Sequence, residues 1–473
     1  MELLSEEEIE RIHSTSIEVL ENIGVAIENE NAIKILADAG AKINPGKRRV
    51  YIPEELVNEA LKHVPSEVRL SGLYGKQEII LAAKNVYFNP GSTALYMLDR
   101  ESMRMRRPSS NDFIEFVRLA ETLEYIHAQS TAMVINDVPD SLVDRFRLYL
   151  ILKHSVKPIV AGAFTAKGVL DMKHMLELTE GEAESSEEKQ RLLMDVCPSP
   201  PLKWSNITSQ NLIDCAKLNI PIEIIPAPQL GSTGPATLAG LLVQHNAEFL
   251  SGLVIAQFVN AGIPLVYSGS PSIMDMRYGT GCVGNIEVPM LAAAYAQISR
   301  SYNIPSGAYL GISETKTIDA QTGLESAIGL IIGTLANINC ITGPGMLGFE
   351  NCQSLEKLVI DNEICGMALR MKKAITVNRE TLAYDLMKRI GPGGHFLAEK
   401  HTLKWSQSEG HFCSPVIDKI SKSKWESSGA KNALTRSREH VNKILSENHR
   451  KPLPADIEKD LDSFMSEFLK HET

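Results

Sequence analysis

The chain has 473 residues, 44% hydrophobic and 22% charged, and a formal net charge of −10. That is a globular make-up, long enough for several small domains or for one large α/β barrel with extensions. The acidic balance, with no basic block longer than Arg104-Met-Arg106-Arg107, excludes an extended nucleic-acid surface.

The first eight residues, MELLSEEE, are acidic where a secretory leader is basic and then apolar. Apolar runs such as GLVIAQFV (252–259) fall short of the ~20 residues that span a bilayer. A soluble, cytoplasmic protein is expected. The seven cysteines (197, 215, 282, 340, 352, 365 and 413) are odd in number and form no C-x-x-C pair. They predict buried thiols, with neither a disulfide framework nor a Cys₄ zinc site.

In chain order, residues 1–85 read as a mainly helical extension. Ser5-Glu6-Glu7-Glu8 makes a capping box before Ile9, Ile12, Ile17, Leu20 and Ile23 at helical spacing. A second helix fits 30–39, and RVYIPEELVNEALKHV reads as a strand and then a Pro-started helix. From residue 86 eight short apolar runs recur, at 86–89, 127–135, 158–163, 191–197, 221–226, 263–268, 305–310 and 337–342. Helical patterns fill the gaps, as at 110–123, 210–218, 240–260, 289–302 and 323–338. Near-continuous apolar strands alternating with helices indicate a parallel sheet, and eight units over about 260 residues match a TIM (β/α)₈ barrel. The barrel is assigned to 86–352, and its last helix with further C-terminal helices to 353–473.

Most unusual stretches follow a predicted strand: NPGSTALY (89–96), NDVPDS (136–141), CPSPPLKWS (197–205), PAPQLGSTGPATLAG (226–240), SGSPSIMDMRYGTG (268–281), GISETK (311–316) and TGPGMLGFEN (342–351). In a barrel these loops share the face on which active sites are built, which points to an enzyme. The glycine-rich stretches at 231–240 and 342–347 match neither nucleotide-binding fingerprint and fit tight turns before helices. His245 and Glu248, three apart on one helical face, suit a polar cluster locking helix to barrel, or a negative charge at the mouth. Arg277 can bind a substrate carboxylate or simply fix its loop through Asp275. His395, in GPGGHF, can line a pocket entrance. Lys316, at a strand end, permits a Schiff-base aldolase or lyase. Phe88, Tyr96, Trp204, Tyr278 and Phe349 fall in or beside the mouth loops, where aromatic faces can hold a quaternary ammonium. No metal-ligand spacing, catalytic triad or nucleophile elbow is present.

The strings NPGSTALYMLD (89–99), CPSPPL (197–202), GSTGPATLAG (231–240), HNAEFLSG (245–252), YSGSPSIMDMRYGTGCVGNIE (267–287), SETKTIDAQTGLE (313–325), LVIDNEI (358–364) and GPGGHFL...HTL (391–403) together resemble the trimethylamine methyltransferase family of corrinoid-dependent methyltransferases. The resemblance runs in order along nearly the whole chain. It implies a TIM barrel that moves a methyl group from a methylated amine to Co(I) of a separate corrinoid protein. Members acting on trimethylamine carry pyrrolysine within the stretch matching 313–319, where this chain has only standard residues. The chain therefore resembles the non-pyrrolysine branch, whose substrates are quaternary amines such as glycine betaine, proline betaine, carnitine and γ-butyrobetaine. The candidate substrate-binding set is Phe88, Tyr96, Trp204, His245, Glu248, Arg277, Lys316, Phe349 and His395, with no catalytic residue assigned. The family also implies a homo-oligomer. No D-x-H-x-x-G string occurs, so the corrinoid is expected from a partner. A quaternary-amine binding protein without turnover is the non-enzymatic alternative.

Overall fold

The structure, a computed structural model, describes residues 2–179, 190–406, 408–409, 414–447 and 452–471; Cys413 lies outside them. Eight parallel strands form the centre: β1 (Tyr87–Asn89), β2 (Gln129–Ser130), β3 (Ile159–Gly162), β4 (Leu192–Val196), β5 (Ile222–Ile224), β6 (Leu265–Tyr267), β7 (Gly307–Tyr309) and β8 (Cys340–Thr342). Strands β2 to β6 pair in order, as do β7, β8 and β1. Two seams close the ring. At one, the His127 N–H donates to Phe88 O (2.7 Å), and at the other the Tyr267 N–H donates to Pro305 O (2.8 Å) beside a Tyr267–Ser306 bridge. The expected (β/α)₈ barrel is the observed fold, and each of the eight apolar runs supplies one strand.

Eight helices follow the strands: α1 (Ser110–Thr122), α2 (Val143–His154), α3 (Gly168–Thr179), α4 (Asn206–Lys217), α5 (Leu238–Val259), α6 (Glu287–Ser301), α7 (Ala320–Leu335) and α8 (Leu355–Lys372). Helix α5 is 22 residues long and apolar enough to cross a membrane, longer than the apolar run at 252–259 suggests. Its residues are instead mostly buried, because the N-terminal helices Glu6–Glu18 and Glu54–His63 cover the face turned away from the barrel.

The N-terminal extension combines its helices with short strands. Val25–Ile27 pairs with Arg49–Tyr51 and with Lys203–Trp204 from the loop after β4, stitching the extension to the barrel. A hairpin of Val68–Leu70 and Ile79–Leu81 packs with Ala128, Val160, Leu193, Val266 and Cys340, so the strand-start end of the barrel is plugged by apolar side chains. Beyond α8, helix Ala433–Ser446 packs on α1 and α8, and Ala455–His471 on α2 and α3.

Candidate functional site

Alternation along the strands decides what faces the barrel interior. Val160 and Leu193 are registered partners in the plug layer. Two residues further on, Gly162 is registered with Asp195, and Asp195 with Glu223 on β5. Both carboxyls therefore enter the barrel above the apolar plug, on the mouth side. Gly307 on β7 makes the room, since a Cβ there would lie 2.2 Å from Glu223 Oε1 and 2.6 Å from Ser268 Oγ.

Glu223 is fully buried, and neither of its oxygens receives a well-formed hydrogen bond. Tyr309, at the mouth end of β7, donates its phenol O–H to Asp195 Oδ2 at 3.3 Å; Asp195 Oδ1 has no partner. Among the described residues, neither carboxyl forms an ion pair. Burial pushes the Asp195 carboxyl up to about 7. Burial and then the charge of Asp195 push Glu223 well above the usual carboxylate range. Both carboxyls are thus held toward their protonated forms until a cation arrives. Glu350, after β8, accepts from Ser270 Oγ at 3.3 Å, and burial raises it to about 7. Cys197, two residues beyond Asp195, is exposed at the mouth. Among the described residues, no group of three or more His, Cys, Asp or Glu is arranged to hold a metal ion. The site is an acidic pit with a tyrosine wall, suited to an organic cation.

The loop 311–325 is mostly structural. Glu314 Oε1 accepts the Val283 and Gly284 N–H groups at 2.6 and 2.5 Å. Glu325 Oε2 accepts Ser313 Oγ (2.5 Å) and the Glu314 N–H (3.0 Å), while Asp319 caps α7. Behind it, Lys357 Nζ donates to Gly311 O (2.8 Å) and to Asp361 Oδ2 (2.5 Å), and Asp361 accepts the Gly345 N–H (2.7 Å). This fully buried ion pair on α8 fixes the loops after β7 and β8 together.

Most of the candidate residues fall elsewhere. Phe88 is registered with Ile341, so it points outward into the helix-facing core and stacks on His127; its neighbours Tyr87 and Asn89 take the inward positions. Trp204 is fully buried, donating from its indole to Ser251 Oγ (2.9 Å) with its ring against Gly252. His245 is stacked on Tyr295 at 4.6 Å within the α5 interface, and burial lowers it to about 3, so the ring is neutral. Glu248 accepts from the Leu202 N–H and Gln244 Nε2, both at 2.9 Å, which locks the loop after β4 to α5. The ring of Tyr96 is covered by the Arg107 guanidinium at 4.9 Å. Arg277 is exposed and bonded through two nitrogens to Asp275. His395 sits in the exposed segment after the barrel. Only Lys316 and Phe349 stand at the mouth together, with Nζ 4.1 Å from the ring centroid, one residue from Glu350. Lys316 is exposed, whereas a Schiff-base lysine needs a desolvated pocket to be neutral. The residues missed, Asp195 and Glu223, were marked by single carboxylates inside the apolar runs RLLMDVC and PIEIIP.

The sequence profile of the trimethylamine methyltransferase (MTTB) family matches residues 1–470. The chain belongs to that family. It is 31% identical over 471 residues to the glycine betaine methyltransferase of Desulfitobacterium hafniense strain Y51, covering 98% of this chain and 96% of that one. It is 30% identical over 476 residues to the trimethylamine methyltransferase MttB of Methanosarcina thermophila, covering 98% and 96%. The crystal structure of the monomethylamine methyltransferase MtmB of Methanosarcina barkeri superposes with a TM-score of 0.52 at 12% identity, covering 93% of this chain and 91% of that one. That likeness extends to the fold. As an MTTB-family barrel, the chain carries its inward-facing carboxyl pair on the face where active sites of this fold lie.

Proposed function

We propose that this protein is a methyltransferase that takes a methyl group from a quaternary amine of the betaine type and passes it to the Co(I) of a corrinoid carried by a partner protein. The observation that carries this reading is the Asp195–Glu223 pair, enclosed at the barrel mouth with no ion-pair partner among the described residues, although the buried Arg147 guanidinium acts on Asp195 from further off. A quaternary ammonium has no N–H to donate, so it is recognised by charge and by aromatic faces rather than by hydrogen bonds. A carboxyl pair with unfilled acceptor positions and a buried tyrosine wall offers that recognition. The leaving amine departs neutral from a donor that arrives charged, so no acid is required to activate it. The residues' task is then positioning and the exclusion of water. At the rim, Lys316 over Phe349 is the cation placed to take the carboxylate of a betaine.

The corrinoid, when presented at the mouth, supplies the nucleophile that accepts the methyl group. The fit of this face to a partner rests on exposed apolar side chains on three mouth loops: Leu95 after β1, Phe164 after β3, and Met276 and Tyr278 after β6. They ring an acidic pit with a docking surface. The names of the betaine and trimethylamine relatives support transfer from a methylated amine.

Calorimetric titration with glycine betaine and with its neutral carbon isostere, 3,3-dimethylbutanoate, tests the reading. Betaine is expected to bind at least about tenfold more tightly, a difference of about 1.4 kcal/mol. Equal affinities, or no binding by any of a panel of betaines, would sink it.

A further inference from the structure

Arg147, on α2, is fully buried and has no ion-pair partner among the described residues. Its guanidinium is held between the mouth ends of two barrel strands. Nη1 donates to Thr131 O, just past β2, at 2.7 Å, and Nε donates to Val143 O at 3.3 Å. The ring of Phe164, just past β3, covers the guanidinium at 4.5 Å. These contacts fix the plane of the group and leave Nη2 without a partner. The nearby Asp144 carboxylate is taken up by the Arg145 and Phe164 N–H groups, both at 2.8 Å. Burial lowers Arg147 to about 10, so it remains charged at neutral pH. An enclosed cation in this state weakens the fold unless an anion completes it.

The carboxyl side of the barrel lies close by. Asp195 on β4 and Arg147 each act on the other's charge. On β3, the strand between them, the position level with Asp195 is Gly162, which has no side chain to separate the two. We infer that Arg147 Nη2 binds the carboxylate of a short betaine, so that the pit reads both charges of one small zwitterion. The inference rests on the betaine reading above and assigns each end of the substrate its place. The ammonium lies over Asp195 and Glu223, and the carboxylate lies beneath Phe164. Strands two apart in the ring are about 10 Å apart, which suits a zwitterion with a short spacer and one contact at each end. A carboxylate anchored on the wall leaves the N-methyl groups free to face a nucleophile entering from the mouth. Lys316, exposed at the rim, is left for the carboxylate of a longer betaine.

Calorimetry with glycine betaine and with its amide, which keeps the ammonium and lacks the carboxylate, tests this. Wild type is expected to prefer the acid by at least about tenfold. Arg147→Gln should bring that preference below about threefold, and Arg147→Lys should restore part of it. A purely structural arginine would weaken acid and amide alike, and an unmoved ratio overturns the inference. Should the Arg147 variants fail to fold, Lys316→Gln decides: a preference for glycine betaine over its amide that persists supports Arg147, and one lost with Lys316 overturns it. Wild type that binds acid and amide equally, yet both more tightly than 3,3-dimethylbutanoate, overturns this inference and leaves the ammonium reading standing. Wild type that binds neither overturns both.

Discussion

Asp195 and Glu223 are registered partners on adjacent barrel strands, facing the same interior space, with the Tyr309 phenol on Asp195 and no ion pair to either among the described residues. Burial raises the proton affinity of both carboxyls, the charge of Asp195 adds to that of Glu223, and the fold is weakened wherever the pair must ionise. Glu223→Gln is therefore expected to act in opposite directions on stability and binding. The melting temperature should rise by a few degrees above pH 7, as a buried carboxyl without a hydrogen-bond partner gives way to an amide that cannot ionise, while betaine affinity should fall about tenfold or more. Differential scanning fluorimetry and calorimetry on the same preparation check both signs; a fall in both would indicate a structural hydrogen bond instead.

The pH dependence follows from the same pair. Asp195 holds its proton up to about 7 in the folded protein, against about 4 in an unfolded chain. Stability from such a raised carboxyl is complete below the unfolded value and is lost as pH rises through about 7. Glu248 and Glu350 move the same way. The ligand-free protein should melt lower at pH 8 than at pH 5.5. A bound ammonium favours the ionised pair, so affinity should climb across that range and proton release should accompany binding. Thermal shifts with and without betaine at both pH values measure it, and affinity falling with pH would contradict it.

Gly307→Ala places a methyl group where Glu223 Oε1 and Ser268 Oγ now lie. The overpacking should cost about 1–3 kcal/mol and push the Glu223 carboxyl out of register with Asp195. Loss of betaine binding in a protein that still melts cooperatively is the expected result.

Asp361→Asn leaves the buried Lys357 ammonium without its counter-charge. Breaking a buried pair from one side costs about 3–5 kcal/mol. Because the pair fixes the loops at Gly311 and Gly345, a lower melting temperature should come with faster amide exchange in 311–316 and 343–348. Exchange unchanged in both loops would place the role of Asp361 elsewhere.

The architecture was legible because eight largely buried parallel strands need eight apolar runs and the connections need helices between them. The mouth loops stood out for the same reason: they alone carry clustered polar groups. What could not be read was facing. Phe88 sits one position from the inward-facing Asn89, and a single step of parity sends it into the outer core. Trp204, His245 and Glu248 have the chemistry of a site, yet they knit the loop after β4 and helix α5 to their neighbours through contacts between residues tens of positions apart. Asp195 and Glu223 were visible one at a time as lone carboxylates in apolar strands. Their meaning depends on being side by side, which strand register alone supplies.

The most direct measurement mixes the protein with its corrinoid partner in the Co(I) state and glycine betaine, and follows the cobalt spectrum. Conversion to methyl-Co(III) with stoichiometric demethylated amine, slowed at least tenfold by Glu223→Gln at subsaturating betaine, is the predicted result. An unchanged Co(I) spectrum across glycine betaine, proline betaine, carnitine and γ-butyrobetaine would contradict it.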